Sequence, residues 1–480
     1  MRYLVFEHKI IIYWLYEHFL KDAKYRILLN NKEIGSTDRT HFTFDGLGSD
    51  TSYKVTVYQN DKLLFEEVIK TQSQKKILNV LDIDSTIDTT GKELVTKKIQ
   101  RILDLANKDN IIYFPRGKYL TGALFIHSDT DICLEKDAFI QGSENPDDYL
   151  PKIPSRFEGT ELSCYASLIN IGKLDRNSGY TTKNVTLRGE GTIYGGGHEL
   201  CEAIIAREMP TSGDRINAGR KRGRLLNISN AQNVVIEGLS IGYGASWTIH
   251  PIYSDNVVTT NCHIESKHFP NGDGWDPDSS SNCVCFNCEF DVGDDMFAIK
   301  SGKNPEGNIV NIPSHDIYIF DCKSIHSHGA AIGSEISGGV YNIFFWDLDM
   351  LTSMHGLHIK ASKKRGGYVK NVIFDNCKGS AIFVESNVNY NDDGEAAKTI
   401  PTFSDFVFSN IELNGILHDS LDRVCVIPHI SLVGYEEDSH LVRNITIDNV
   451  VFLNNGLKKE ECVYSSNCEN IVINNIHYSK

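Results

Sequence analysis

The densest group of acidic side chains lies in the stretch HFPNGDGWDPDSSSNCVCFNCEFDVGDDMFAIKS, residues 268–301. Asp273 and Asp294 are 21 residues apart there, and Asp295 follows directly. In a chain that coils with about that period, neighbouring coils stack about 4.8 Å apart, so these carboxylates come to lie side by side. Carboxylates packed so closely cannot all ionise freely, and the pKa of one of them rises. A raised-pKa acid beside ionised carboxylates is the arrangement that cleaves glycosidic bonds.

Two other interpretations of this acidic stretch stay open. Aspartates with interspersed glycines also chelate Ca²⁺, although residues 271–278 lack the spacing and the terminal glutamate of an EF-hand loop. The aspartates could also be solvated turn residues without a function.

A repeated unit indicates which fold positions these acids. After residue 180, an Asn or Asp followed by alternating apolar residues recurs every 23 to 49 residues, a spacing typical of solenoids. The strands are short, rich in Val, Ile and Phe, and separated by polar turns rather than helices, so leucine-rich, ankyrin and helical repeats do not fit. The pattern predicts an all-β protein, a right-handed parallel β-helix. The repeats begin at Asn184, Asn233, Asn256, Asn282, Asp316, Asn342, Asn371, Asp405, Asn444 and Asn470.

The cysteines follow the same repeat. Cys262, Cys288, Cys322 and Cys377 occupy one position of the repeated strand, which predicts a buried column of small thiols. The run Cys283-x-Cys285-x-x-Cys288 has part of a zinc-site spacing but no second half. We therefore expect reduced structural thiols and no metal site.

The first 75 residues have a different character. Alternating strand-like runs separated by turns predict a small β-sandwich over residues 1–75, followed by the β-helix over residues 77–480. Leu47, Thr51 and Tyr53 resemble the corner of fibronectin type III modules, in which a tyrosine hydroxyl fixes a crossing loop. One helix is predicted near the start of the β-helix, over Gly91–Lys108.

Composition excludes several classes of function. The 480 residues contain 48 Lys and Arg against 63 Asp and Glu, a net charge of −15, so we expect no nucleic-acid or anionic-membrane partner. No stretch approaches the roughly 18 consecutive apolar residues of a membrane helix. Glu7, His8 and Lys9 interrupt the apolar N-terminus before a signal-peptide core forms, which predicts a cytoplasmic protein, or a secreted one if this N-terminus has been trimmed.

Four ordered motifs give the acidic stretch a more specific meaning. NGDG at Asn271–Gly274, GDD at Gly293–Asp295, SHGAAIGS at Ser327–Ser334 and HIK at His358–Lys360 resemble the NTD, GDD, GHG and RIK motifs of polygalacturonases, glycoside hydrolase family 28. FPRGKYLTGAL and ASWTIHP also look like that family. The resemblance covers roughly residues 77–480.

The resemblance implies a catalytic role for four residues. Asp294 would be the general acid that protonates the leaving glycosidic oxygen. Asp273 and Asp295 would hold and deprotonate the attacking water, in the single displacement of an inverting enzyme. His328 matches the GHG histidine and would tune the proton of the acid. This mechanism requires no metal and no cofactor.

The resemblance also implies a cationic site for the substrate carboxylate, and here the chain departs from the family pattern. Lys360 matches the RIK lysine, but His358 stands in place of the arginine. A neutral imidazole cannot reproduce the two-pronged grip of a guanidinium on a carboxylate. Arg365, five residues further on, is a candidate for the missing charge.

Five further residues are candidates for contact with the substrate. Asn271 begins the first motif, Trp247 and His250 begin a strand one coil before it, and Tyr390 lies in a polar loop beyond Lys360. Arg222 belongs to the basic run RINAGRKRGR, where a polyanion could dock. A core position for Trp247 and a solvated loop for the basic run are equally compatible with the sequence.

The first hypothesis is an inverting hydrolase of α-1,4-galacturonide linkages in pectin-derived oligosaccharides. SHGAAIGSEISGG and WTIHP look more like the exo-acting members, and an insert between residues 140 and 225 could close one end of the groove. The alternative, motivated by His358, is a hydrolase of rhamnogalacturonan or another substituted pectic chain. A Ca²⁺-dependent pectate lyase and a non-catalytic polysaccharide binder are further hypotheses. The sequence makes no prediction of oligomeric state.

Overall fold

The computed structural model describes residues 1–385, 393–418, 423–437 and 441–479. The chain forms two compact units, residues 1–77 and 78–480. No helix among these described residues is long and apolar enough to cross a membrane.

The first unit consists of two antiparallel sheets around a small apolar core. Trp14 is fully buried there, with its ring centroid 4.7 Å from that of Tyr25. The Tyr53 hydroxyl accepts a hydrogen bond of 2.7 Å from the backbone N–H of Gly48, so it fixes the turn that precedes its own strand. One sheet contains Arg2–Val5, Ile10–Tyr13 and His41–Phe44; the other contains Lys32–Thr37, Tyr25–Leu29, Ser52–Gln59 and Lys62–Lys70.

The second unit is a parallel β-helix, and most of its strands belong to one sheet of 23 strands, called here the long sheet. Its strands are Lys76–Asn79, Thr90–Leu94, Asn110–Phe114, Gly117–Thr121, Thr130–Leu134, Ala138–Gly142, Thr182–Gly189, Thr192–Tyr194, Ala231–Glu237, Ser240–Gly242, Asp255–Thr260, His263–Ser266, Val284–Phe286, Glu289–Val292, Ser314–Phe320, Lys323–His326, Val340–Trp346, Asp349–Met350, Tyr368–Asp375, Lys378–Gly379, Thr402–Leu413, Val442–Phe452 and Cys468–Tyr478.

A second stack of short parallel strands, called here the short-strand face, carries one strand per coil. Residues 275–278 join its two parts by single bridges, from Ile249 to Trp275 and from Trp275 to Phe297. The stack is therefore continuous along the helix axis. Its strands are Leu124–Ile126, Ile169–Gly172, Leu226–Ser229 and Ile249–Ile252, then Asp295–Ile299, Gly329–Ile332, Leu357–Lys360, Ile382–Glu385, Ile430–Val433 and Val463–Ser466.

The predicted helix near the start of the β-helix is shorter than expected. Thr90–Leu94 is a strand that pairs with Gly117–Thr121, and the helix covers only Thr96–Leu103. The apolar periodicity extends over both elements, so the sequence pattern hid the boundary between them. The remaining helices are Val80–Ile83, Gly197–Ser212, Arg215–Gly219 and Glu306–Val310, with 3-10 turns at Tyr16–His18, Pro146–Tyr149, Lys363–Arg365 and Lys459–Glu461. Two antiparallel hairpins are formed by Ile153–Phe157 with Thr160–Cys164 and by Ile416–His418 with Val424–Val426.

The Asn and Asp residues that begin the repeats form a ladder, called here the asparagine ladder. All ten have a positive φ, between 53° and 64°, a conformation that Asn and Asp adopt more readily than other side chains with a Cβ. Their amides bond from coil to coil: the Asn233 Nδ2 donates to Asn184 Oδ1 at 3.0 Å, and Asn256 donates to Asn233 at 2.9 Å. The repeat read from the sequence is thus a column of turns.

The cysteine column is present as predicted. Cys262, Cys288, Cys322 and Cys377 are buried, and the backbone N–H of Cys262 lies 3.5 Å from the Cys288 sulfur. All twelve cysteines are free thiols. The column therefore fills the interior of the coils with small side chains.

Candidate active site

The four residues predicted to be catalytic lie on adjacent coils of the short-strand face. Backbone hydrogen bonds connect them: Gly274 N–H donates to the Asp295 carbonyl at 3.0 Å, and His328 N–H donates to the Asp294 carbonyl at 2.8 Å. Asp295 begins one short strand, and His328 comes directly before the next. The coil stacking inferred from the 21-residue offset thus brings these side chains together.

Asp294 and His328 form the solvent-facing part of the cluster. Asp294 Oδ1 is 3.0 Å from His328 Nδ1 and also accepts the backbone N–H of Asp295 at 3.0 Å. Burial alone would raise the pKa of Asp294, but the hydrogen bond and charge of His328 outweigh it and hold this pKa below its usual range. Burial of the imidazole would lower the pKa of His328, but the hydrogen bond to Asp294 outweighs this effect and the pKa is raised. Without substrate, the two side chains therefore form an ion pair.

The raised pKa predicted for one acid belongs to Asp273 rather than to Asp294. Asp273 is only 4% exposed, and its burial, followed by the charges of Asp276 and Asp294, raises its pKa well above the usual range. The reason is exposure, since Asp294 keeps contact with solvent and with an imidazolium whereas Asp273 has neither.

Lys300, a buried lysine that sequence analysis missed, opposes the rise in the pKa of Asp273. The Lys300 ammonium contacts the Asp276 carboxylate, lies 3.6 Å from Asp273 Oδ2, and sits 4.5 Å above the Trp247 ring. Burial raises the pKa of Asp276 to about 6 in spite of this lysine. Lys300 pairs in register with Asp278 on the preceding coil, 22 residues earlier, so an offset one residue longer than that between Asp273 and Asp294 would have found it.

Lys360 lies beside the second carboxylate of the GDD motif. Its ammonium is 3.3 Å from Asp295 Oδ2 and is largely buried. In the part of the chain that the structure describes, Asp294, Asp295 and His328 form the one group whose ligand atoms are close enough to hold a metal, within 4.8 Å of one another. Lys360 already supplies a positive charge to this group, as a bound cation would.

Arg222 and Asn271 form an internal contact instead of a docking surface. Arg222 is 3% exposed and donates hydrogen bonds to Asn271 Oδ1 at 2.6 Å and to the Pro270 carbonyl at 2.9 Å. The prediction that Arg222 binds a polyanion is therefore wrong, because its guanidinium is buried and donates its hydrogen bonds within the protein. Its bonds hold the turn that leads into Asp273.

Trp247 and His250 are also buried. Trp247 stacks on Phe157, with ring centroids 4.7 Å apart, and is 2% exposed, so it is a core residue and not a platform for a sugar ring. His250 is fully buried, its Nε2 is 3.7 Å from Asp278, and burial lowers its pKa to about 3. The burial of both side chains therefore contradicts the two predicted substrate contacts.

Arg365 does not supply the charge that the HIK motif lacks. Its guanidinium is fully buried and donates to the Ser334 carbonyl at 3.1 Å and to Asn304 Oδ1 at 2.6 Å. His358 is also buried, and its Nε2 is 3.2 Å from Glu385 Oε2. Tyr390 lies outside the described residues.

The hairpin Ile153–Cys164 contacts the coils that precede Asp294 and also the loop after the Asp295–Ile299 strand, where the Lys303 N–H donates to the Gly159 carbonyl at 3.0 Å. Arg156 forms a fully buried ion pair of 2.9 Å with Asp278, and Ser155 donates to Asn227 at 2.9 Å. This hairpin belongs to the insert expected to close one end of the groove. The sequence offered only the length of the insert as a signal, because hydrogen-bond partners of the hairpin are 72 to 145 residues away.

This arrangement of acids on a parallel β-helix agrees with the comparison with known families. The model of the glycosyl hydrolases family 28 matches residues 155–462, well over half of the chain, and the chain belongs to that family. The chain is 26% identical over 436 residues to an exo-poly-alpha-D-galacturonosidase of Dickeya chrysanthemi, covering 81% of this chain and 69% of that protein.

Other relatives extend the comparison. The chain is 29% identical over 295 residues to a probable polygalacturonase of Vitis vinifera, covering 59% of this chain but only 57% of the length of that relative. Among solved structures, the family 28 exopolygalacturonase of Yersinia enterocolitica superposes with a TM-score of 0.83 at 24% identity, covering 100% of this chain and 97% of that one. At this identity the superposition establishes the fold.

Proposed function

We propose that this protein is a hydrolase that removes galacturonate from the non-reducing end of pectin-derived α-1,4-galacturonides. The observation that carries this proposal is the contact of Asp294 with His328, directly beside the carboxylate of Asp295. Family membership supports the reaction class, and the name of the Dickeya relative supports the exo-acting mode.

Protonation of the leaving oxygen is assigned to Asp294. Its carboxylate is about 30% exposed and can reach a glycosidic oxygen in the groove. A bound uronate adds negative charge beside Asp294, which raises the pKa of this carboxyl group. The proton then comes from the His328 imidazolium 3.0 Å away, so the pair delivers one proton to the leaving sugar.

Activation of the attacking water is assigned to Asp295. The Lys360 ammonium lies 3.3 Å from this carboxylate, which can accept a proton from water as the water attacks the anomeric carbon. Asp273, whose pKa burial raises, is better suited to orient the water through a donated hydrogen bond than to act as a base.

The exo-acting mode receives structural support from the hairpin Ile153–Cys164. The buried ion pair between Arg156 and Asp278 and the bond from the Lys303 N–H to the Gly159 carbonyl hold the hairpin beside the Asp294 coil, where it would leave room for only a short terminal segment of substrate. The non-reducing end of the substrate would then lie between the hairpin and Asp294.

The test is a product assay on polygalacturonate and on a digalacturonide, each with and without chelator. Galacturonate released from the first time points, without ultraviolet absorbance and lost in Asp294→Asn, is the expected result. Oligomers of mixed length at early times would contradict the exo-acting mode. An unsaturated, absorbing product that disappears with chelator would instead indicate a pectate lyase.

Two accessory features belong to the same proposal. We infer that residues 1–75 form a fibronectin type III-like module, which the two antiparallel sheets and the hydrogen bond from Gly48 to Tyr53 support. Twelve free cysteines favour a reducing, cytoplasmic location, where the substrate would be imported oligosaccharide. Fractionation of the producing cells with an activity assay tests the location.

A further inference from the structure

Two neighbouring strands of the short-strand face lie on the coils that follow His328. Leu357–Lys360 pairs in parallel with Ile382–Glu385, so Lys360 lies opposite Glu385 and His358 lies opposite Phe383. The His358 Nε2 is 3.2 Å from Glu385 Oε2. The imidazole is 6% exposed and the carboxylate 32%, so the histidine is held inside while the glutamate faces solvent.

The charges at this position differ from those that the RIK motif would provide. Burial is the first of the influences that lower the pKa of His358, and this imidazole is neutral near pH 7. The positive charge of Lys360 is directed to Asp295, at 3.3 Å. Where the family motif has a guanidinium, this chain therefore presents a neutral ring and a solvent-facing carboxylate.

The position of this pair relative to the cleaved bond rests on the proposed function. The hairpin Ile153–Cys164 contacts the coils before Asp294 and the loop after the Asp295–Ile299 strand, so the sugar to be released lies on that side. The rest of the substrate then extends the other way, over the coils that carry His328, Lys360 and Glu385. Glu385 thus faces the sugar on the leaving side of the bond.

We propose that the His358–Glu385 pair selects a leaving-side sugar without negative charge, either a methyl-esterified uronate or a neutral sugar. A free uronate would bring its carboxylate towards Glu385 without a guanidinium to neutralise it, and like charges across a binding site oppose association. Sugar hydroxyl groups, in contrast, can donate hydrogen bonds to the glutamate oxygens.

The experiment compares three disaccharides that share a non-reducing galacturonate. The leaving-side residue is galacturonate, its methyl ester, or rhamnose. We expect kcat/KM for the uncharged leaving sugars to exceed that for digalacturonate by about tenfold or more. A preference for the ester alone would identify esterified pectin as the source, and a preference for the rhamnoside alone would identify rhamnogalacturonan.

Two variants and one control test whether the pair causes this preference. Glu385→Gln keeps the shape and removes the charge, so it should reduce the preference mainly through a lower KM for digalacturonate. His358→Arg should shift the preference further towards the free acid. Glu190→Gln removes one exposed negative charge at a turn of the long sheet and should leave the preference unchanged.

Calorimetric binding of the same three disaccharides to Asp294→Asn separates this inference from the proposed function. Tighter binding of the uncharged sugars without any hydrolysis by the wild-type protein would contradict the hydrolase and retain the subsite. Hydrolysis with equal or better use of digalacturonate, unchanged in Glu385→Gln, would retain the hydrolase and overturn the subsite. Equal binding of all three sugars would also overturn the subsite.

Discussion

The carboxylates of the short-strand face form two groups that differ in exposure and in partner. Asp294 faces solvent and pairs with a histidine that can give up its proton near neutral pH. Asp273 and Asp276 are buried and share one lysine, Lys300. Residues of one type at nearly the same place in the coil thus have different protonation states, because burial and the neighbouring cation differ. The exposed group can exchange protons with a substrate, whereas the buried group fixes the surface that presents it.

The largest expected effect is on kcat and comes from replacing the exposed acid, Asp294. Asp294→Asn cannot transfer a proton, so kcat on a galacturonide should fall by about 10²- to 10⁴-fold, while the thermal unfolding midpoint changes little. Asp316→Asn is a matched control, because Asn occupies most other positions of the asparagine ladder and can still accept the bond from Asn342. Retained activity in Asp294→Asn would remove this residue from the mechanism.

The next effect breaks the buried contact that holds the hairpin. Arg156→Met leaves the Asp278 carboxylate buried without its guanidinium, which should lower the free energy of unfolding by about 3–5 kcal/mol. Arg443→Met, in an exposed pair with Glu469 at 3.3 Å, should change it by about 1 kcal/mol or less. Thermal unfolding of both variants measures the difference, and similar midpoints would contradict the structural role of the buried pair.

A third effect concerns the pH dependence of the buried acids. Asp273 and Asp276 have folded-state pKa values above their unfolded values, so their contribution to stability is lost as pH rises through the folded values, about 6 for Asp276. Lys300→Met removes the cation that limits this rise. We expect the unfolding midpoint of the variant to fall more steeply than that of the wild type between pH 5 and pH 8.

The exposed Lys323→Met is the control for this measurement, since its side chain lies at the surface of the long sheet. Parallel curves for Lys300→Met and the wild type would show that Lys300 does not neutralise the buried acids.

The smallest expected effect is the contribution of the Asp294–His328 pair to the free energy of unfolding at different pH values. The raised pKa of His328 stabilises the fold below about pH 6.5 and this stabilisation is lost as pH rises through the higher folded value. The lowered pKa of Asp294 stabilises the fold above about pH 4 and this is lost as pH falls through the lower folded value. The pair should therefore contribute most between about pH 4 and 6.5, by about 1 kcal/mol or less.

The difference between the unfolding midpoints of the wild type and His328→Gln, followed against pH, measures this contribution. A difference that is constant from pH 4 to pH 9 would show that the two side chains do not form an ion pair.

The repeat and the exposed acids could be predicted from the sequence because both depend on local patterns. The recurring Asn and Asp residues mark turns by their own backbone preference, and one coil spacing then aligns Asp273 with Asp294. The same spacing gave no information on which acid is buried. The buried acids contact Lys300, which lies over Trp247, and Trp247 is covered by Phe157 of the hairpin; these are contacts between residues far apart in the chain.

The substrate-contact predictions failed where side-chain type was taken as a sign of function. Trp247, Arg222 and Arg365 have side chains that could bind an acidic sugar, but each makes its contacts inside the protein. Trp247 stacks on Phe157, Arg222 donates to Asn271, and Arg365 donates to Ser334 and Asn304. No sequence pattern indicates Glu385, since its importance comes only from the contact with His358 on the neighbouring strand.

The asparagine ladder has a consequence for how this protein can change. Each rung has its own turn and most rungs bond to a neighbouring rung, so a segment inserted between two rungs need not displace the coils that follow. The intervals of 23 to 49 residues between rungs are compatible with such freedom. Loops that shape the groove can therefore lengthen, shorten or be exchanged one at a time, as interchangeable modules on a fixed frame, and specificity can be redesigned without rebuilding the catalytic coils.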